Sequence, residues 1–151
     1  MIPDIHDNLV RWTLWSKNRA VVSHETALGV HSVGEYESPR IQLTVPPGFR
    51  MRDEALVLHQ ADLPDGDVVE RAGFRLTTIT RSLVDVAAHS ADQEQLARAI
   101  EEARALGTLT LRSLRARAEA IDATAALRIE RALGHVHVAR PWCRAEQPQM
   151  S

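Results

Sequence analysis

The period of the hydrophobic residues changes twice along this chain, and that alternation limits the folds open to it. Ile5, Leu9, Trp12 and Trp15 recur at steps of four and three, one face of an α-helix. A second helix is expected from Ser23, whose hydroxyl suits an orphan backbone N–H, with Glu25 at the positive end of the dipole. It runs to about residues 31–34. The period then shortens to two. Residues 40–45 alternate polar and apolar until Pro46-Pro47-Gly48 stops them, and residues 55–61 are expected as a second strand with Leu56, Leu58 and Gln60 on one side and Val57, His59 and Ala61 on the other. Residues 68–71 and 74–77 flank Gly73, which can supply the positive φ of a hairpin turn.

From Thr78 onward the period returns to 3.6. Thr78 caps a helix carrying Leu83, Val84, Val86 and Ala87. Ser90 and Gln93 have capping-box spacing ahead of a helix with Leu96, Ala99, Ile100 and Ala103 on one face. Gly107 closes that helix. Thr110 opens the next, with Leu111, Leu114, Ala118 and Ile121 inward, and a last helix covers residues 123–133 and stops at Gly134. Two helices, about four strands and four helices predict an α+β fold. Its small, mainly antiparallel sheet would carry N-terminal helices and a C-terminal helical bundle. The expected organisation is one body, residues 1–134, strand-rich over 35–78 and helical over 79–134, followed by a flexible tail at 135–151.

Composition narrows the function classes. With 151 residues, 44% of them hydrophobic and 25% charged, the chain can build one core. A net charge of −2 argues against the whole chain acting as an electrostatic nucleic-acid binder. One cysteine excludes an internal disulfide framework, and no apolar run reaches the ~20 residues of a membrane span. The N-terminus has acids where a secretory leader needs positive charge, which predicts a cytoplasmic protein.

No phosphate loop, dinucleotide fingerprint, nucleophile elbow or paired-cysteine metal motif is present in the sequence. Ser23-His24-Glu25 places catalytic residue types in a row, but neighbours on a helix do not face one another, so a capping role is favoured. His135, His137 and Cys143 are zinc-ligand types lacking a fourth member, so no metal and no cofactor are expected. Arg81 and Asp85, four apart, are read as a structural pair or backbone anchor. Two segments stand out as interaction surfaces. The loop with Phe49, Arg50 and Arg52 combines an aromatic with arginines, a composition enriched at binding hot spots, and the plainer alternative is a loop whose Phe49 folds back into the core. The helical hairpin 92–120 carries Arg104, Arg112, Arg115 and Arg117, a set that could meet phosphates in the manner of a helix-turn-helix. Trp12 and Trp15 are read as core or as a docking surface. An enzyme built around His24, His59 or Asp85 ranks last, because no motif unites them.

Five strings in order carry a family resemblance: VRWTLWSKNRAVVSHETALGVHSVGEY, IQLTVPPGFRMR, ALVLHQADLPDGDVVERAGFRLTTITRSLVDVAA, QLARAIEEARALGTLTLRSLRARAEA and ALRIERALG. Over residues 10–134 the chain resembles the AbiEi family of antitoxins and transcriptional regulators, found in type IV toxin–antitoxin and phage-defence loci. Ile79 stands where the family has Pro, which is favoured at a first helical position but not required there. The family's N-terminal winged helix-turn-helix has no counterpart in this sequence. The resemblance implies a non-enzymatic antitoxin body that counteracts a nucleotidyltransferase-type toxin, by contact or indirectly. Promoter DNA would be met only weakly without the head; the alternative is a transcriptional regulator that binds DNA through the hairpin 92–120. Ser23, His24, Thr78, Arg81 and Asp85 carry the resemblance and are expected to be structural.

Overall fold

A computed structural model describes residues 5–34, 36, 40–71, 73–90 and 92–139, with side chains described from Asp7 to Gly134 among these. The chain divides into two compact units, Met1–Ser82 and Leu83–Ser151, and the division falls inside one helix.

The first unit contains α1 (Ile5–Trp15), β1 (Val21–Val22), α2 (His24–Val30), β2 (Ile41–Val45), β3 (Leu56–Gln60), a 3-10 turn (Asp65–Asp67), β4 (Val68–Arg71), β5 (Phe74–Thr77) and the first turn of α3 (Ile79–His89). The strands form one sheet in the order β3-β2-β1-β5-β4. The α+β class holds, but the sheet has five strands rather than about four and is mixed rather than mainly antiparallel. β1 pairs antiparallel with β2 and parallel with β5, β2 and β3 are parallel, and β4 and β5 form the antiparallel hairpin. The extra strand is Val21–Val22, two residues long. Two residues cannot display a period, so its presence at the centre of the sheet comes from its partners.

The register divides the sheet into two faces. Val22, Leu43, Val45, Leu56, Phe74 and Leu76 lie on one face and pack with Leu9 and Trp12 of α1, Ala27 of α2 and Phe49. Fully burying one such large side chain contributes roughly 1.5–3 kcal/mol, so this face is the core of the unit. On the opposite face, Val21 aligns with Thr44 and Thr44 with His59. That face therefore carries Gln42, Thr44, His59 and Arg75, a polar set on a buried or half-buried surface.

The second unit holds the rest of α3, α4 (Gln93–Ala105), α5 (Leu111–Ile121) and α6 (Ala123–Ala139). α6 packs against both α4 and α5. Ala99, Ala103, Ala118, Ala125 and Ala132 are buried beside Leu96, Ile100, Leu114 and Ile129, and their small side chains allow close helix approach. The caps follow hydrogen-bond accounting at helix ends. Thr110 accepts from Ser113 N–H as expected, and Gly107 has φ +76°. At α4 the cap is Asp92, which accepts from Gln95 N–H, and not the Ser90–Gln93 box. Ser90 instead accepts from Asp92 N–H. Arg128 donates to the carbonyls of Ala87 and Ala88 at the end of α3, at 3.0 and 3.1 Å, where a cation also suits the dipole. α6 does not stop at Gly134; its backbone continues to Ala139, so the expected tail begins later. Cys143 and the remainder of the tail lie outside the described residues. Among those described, no helix is long and apolar enough to cross a membrane.

Candidate functional site

The loop between β2 and β3 forms the first candidate. Pro46-Pro47-Gly48 turns the chain, Gly48 at φ +89°, and Phe49 N–H donates to Pro46 O. Gln60 fixes the turn from β3, accepting from Gly48 N–H at 3.4 Å and donating to Phe49 O at 3.3 Å. Phe49 does not lie on the surface. It is only 8% exposed, because its ring folds back onto the core face, tilted at 6.0 Å from Trp15 with the Arg19 guanidinium 5.8 Å from its centre. Of the residues expected as an interaction surface, Phe49 thus borders solvent only as a wall of the adjoining cavity, and Arg50 and Arg52 are the outward pair. Both are exposed, and among the described residues neither makes an ion pair or hydrogen bond. Arg52 borders a cavity of about 530 Å³ with Val45, Phe49, Leu56 and Leu58 as its apolar walls and Asp53 and Glu54 also at its rim. Met51, 38% exposed, adds apolar surface at its mouth.

The polar sheet face holds a second cluster. Ser23 occupies the N-cap position of α2, as expected, yet its side chain makes no capping bond. Its Oγ accepts from Thr44 Oγ1 and lies 2.8 Å from His24 Nδ1. Adjacent side chains meet here because His24 has φ +57°, a left-handed conformation that breaks the helical geometry assumed for the pair. The His24 ring stacks on His59, with centroids 3.7 Å apart and planes 14° from parallel, and His59 Nε2 lies 2.7 Å from Gln42 Oε1. Sequence reading named both histidines but could not join them, since the link is the register that sets Thr44 beside His59. Ser23 is fully buried, which closes its hydroxyl to an outside substrate.

His31, at the C-cap of α2, connects that helix to β5. Its Nε2 donates to Thr77 O at 2.9 Å, which leaves Nδ1 as the acceptor facing Arg71, at 3.4 Å. Burial pushes its pKa below the usual value, the Thr77 bond opposes the shift, and the Arg71 charge adds to it.

Thr78 caps α3 as expected, accepting from Arg81 N–H at 3.2 Å. Arg81 reaches back to Asp67 at 3.0 Å, both side chains being about nine-tenths buried. The Asp67 carbonyl also accepts from Thr78 N–H. Arg81 therefore ties α3 to the turn before β4, a partner fourteen residues away that the Arg81–Asp85 spacing does not reveal. Asp85 is buried in the second unit. On the same polar sheet face, sequence reading missed a cavity of about 520 Å³ bordered by Arg19, Asp62, Asp65, Glu70 and Arg75. Arg75 is held there by donating to Asn18 O at 2.7 Å.

The basic hairpin of the second unit is partly neutralised. Arg104 pairs with Glu101 at 3.3 Å, and Arg115 with Glu130 at 2.7 Å. Arg117 is half-buried. Arg112 is exposed in the first turn of α5 and has no ion pair among the described residues.

No family model matches the chain, and no curated protein matches it in sequence. Among solved structures, the RV2827C protein from Mycobacterium tuberculosis is similar in fold, with a TM-score of 0.60 at 16% identity. The likeness covers 88% of this chain and 54% of that one, so this chain spans about half the length of its structural neighbour. At such identity the likeness concerns the fold alone, and it accords with the α+β class.

Proposed function

We propose that this chain is a non-enzymatic, antitoxin-type regulatory domain of a bacterial toxin–antitoxin system, acting in the cytoplasm against a nucleotidyltransferase-type toxin. The ordered AbiEi-like strings over residues 10–134 suggest the class. The observation that carries the reading in the fold is the loop after β2: among the described residues its exposed Arg50 and Arg52 make no ion pair, and Arg52 stands at the rim of a cavity with apolar walls. An apolar floor with a charged rim is the anatomy of a protein-binding patch. The roles of Ser23, His24, Thr78 and Arg81 are then to hold the body in shape. Co-expression with a nucleotidyltransferase-type toxin of this class tests the proposal: growth should be restored. Arg50→Glu with Arg52→Glu should reduce the rescue, and persistent arrest with the unaltered chain would refute it.

Arg112 supports a second reading, a DNA-binding regulator, because an exposed guanidinium in the first turn of α5 could meet a phosphate. It ranks lower because Arg104 and Arg115 already face glutamates. It requires promoter binding that weakens steeply with salt and is lost in Arg112→Ala/Arg115→Ala.

A further inference from the structure

β3 is an outer strand of the sheet, and among the described residues only one of its edges is occupied. Ile41 N–H donates to Ala55 O, and Ala61 N–H donates to Val45 O. With the parallel register running from Ile41 beside Leu56 to Val45 beside Gln60, these bonds turn the main-chain groups of Val57 and His59 toward β2. The main-chain groups of Leu58 and Gln60 therefore point away from the sheet. Those of Leu58 meet no partner among the described residues. The Leu56 and Leu58 side chains line the cavity described above, next to Val45 and Phe49. An open edge beside pockets for alternate side chains is the arrangement that takes up an added strand.

The two edges of the sheet are protected differently. β4, the other outer strand, carries Glu70 and Arg71 within its four residues. Charges on an edge strand discourage pairing with another chain. β3 reads Leu-Val-Leu-His-Gln, with no acid, lysine, arginine or proline, and its register runs without a bulge. Charge stands beside the edge instead. Asp53 accepts from Ala55 N–H and Glu54 is exposed at the cavity rim, while Arg50 and Arg52 are exposed and make no ion pair among the described residues.

We propose that β3 accepts an extended segment of a partner protein as a sixth strand. The segment places apolar side chains at alternate positions in the cavity and a carboxylate against Arg50 and Arg52. The inference rests on the partner-binding reading only in taking the strand from another protein.

The probe is a set of fluorescein-labelled peptides, Asp-Glu-X-Thr-X-Thr-X, with X as Val, Ile, Leu or Phe, titrated with the full chain by anisotropy. At least one should bind saturably. N-methylating two alternate amides on one edge of that peptide should weaken it at least tenfold, at roughly fivefold per lost hydrogen bond. Methylating the opposite edge should leave it unchanged. Arg50→Glu/Arg52→Glu should weaken it several-fold. Leu58→Pro removes an outward N–H while sparing the ladder to β2, and should abolish binding. If that variant does not fold, the two methylated sets on the unaltered protein decide. No saturable binding by any peptide, or equal loss for both methylation sets, overturns the proposal. So does a concentration-dependent dimer of this chain that Leu58→Pro dissolves. Growth rescue is read separately: arrest with peptide binding intact refutes the toxin reading and leaves the strand site standing.

Discussion

Gly73 offers the sharpest test of how the first unit is assembled. It lies in the β4–β5 turn at φ +90°, and a Cβ added there would stand 2.9 Å from Val10 Cγ2 and 3.5 Å from Cγ1. Gly73→Ala therefore carries two independent costs. The left-handed conformation costs an L-residue roughly 1–2 kcal/mol. Crowding Val10 of α1 adds roughly 1–3 kcal/mol, toward the low end because Val10 is only half-buried and can shift. The sum is about 3 kcal/mol, which at roughly 2–4 °C per kcal/mol lowers the melting midpoint by roughly 6–12 °C. Trp12 and Trp15 stand in α1 beside this contact, so guanidinium unfolding followed by tryptophan fluorescence in a Trp142→Phe background reports on the right unit. The two costs separate in a double-mutant cycle. Val10→Ala alone should destabilise, yet in the Gly73→Ala background that loss should be offset by relief of the clash, a coupling of about 1 kcal/mol. Gly73→Asn should relieve part of the backbone cost and keep the clash. A loss below about 1 kcal/mol for Gly73→Ala, or simple additivity with Val10→Ala, would refute the close packing of the hairpin turn on α1.

Four further outcomes follow from named contacts. Leu76→Ala, at a fully buried position in β5, should cost roughly 2–5 kcal/mol in the same unfolding assay. Thr110→Ala should cost about 1 kcal/mol and speed exchange of the Ser113 amide, whereas Thr110→Ser should change little. Arg115→Ala should cost under about 1 kcal/mol, since both members of its pair with Glu130 are 44–50% exposed; a larger loss would show that the pair is better shielded than its exposure implies. His31 makes stability depend on pH with a definite sign. Its folded pKa lies below 6.5, so the unfolded chain binds more protons between the two values and stability rises with pH through that window. The contribution is complete above about 6.5 and is lost as pH falls through the folded value. Urea midpoints from about pH 7 to about pH 5 should therefore fall faster for the unaltered chain than for His31→Gln, and parallel curves would contradict the burial of its ring.

Local chemistry made much of this chain legible. The 3.6-residue period located α1 and the helices after Thr78, and the turn at Gly73 marked the hairpin, because these depend on residues within a few positions of one another. Thr78, Thr110 and Gly107 could be assigned as helix ends for the same reason. What escaped the sequence depends on partners far along the chain. Val21–Val22 is a strand only because β2 and β5 flank it. β2 and β3 lie parallel because the ten residues between them cross over, where a short turn would have made them antiparallel. Phe49, for which the sequence offered both a surface and a place in the core, is inside because the core has room for its ring beside Trp15. Ser23 sits at the predicted cap, yet its hydroxyl is engaged by Thr44, twenty-one residues away. The sequence by itself determined which segments are helix or hairpin and which residues are apolar. Tertiary structure decided which strand lies beside which, which edge stays open, and where each polar side chain finds its partner. The reason is physical: helix periods and caps are short-range interactions, whereas strand pairing and buried polar bonds form only between segments that folding brings together.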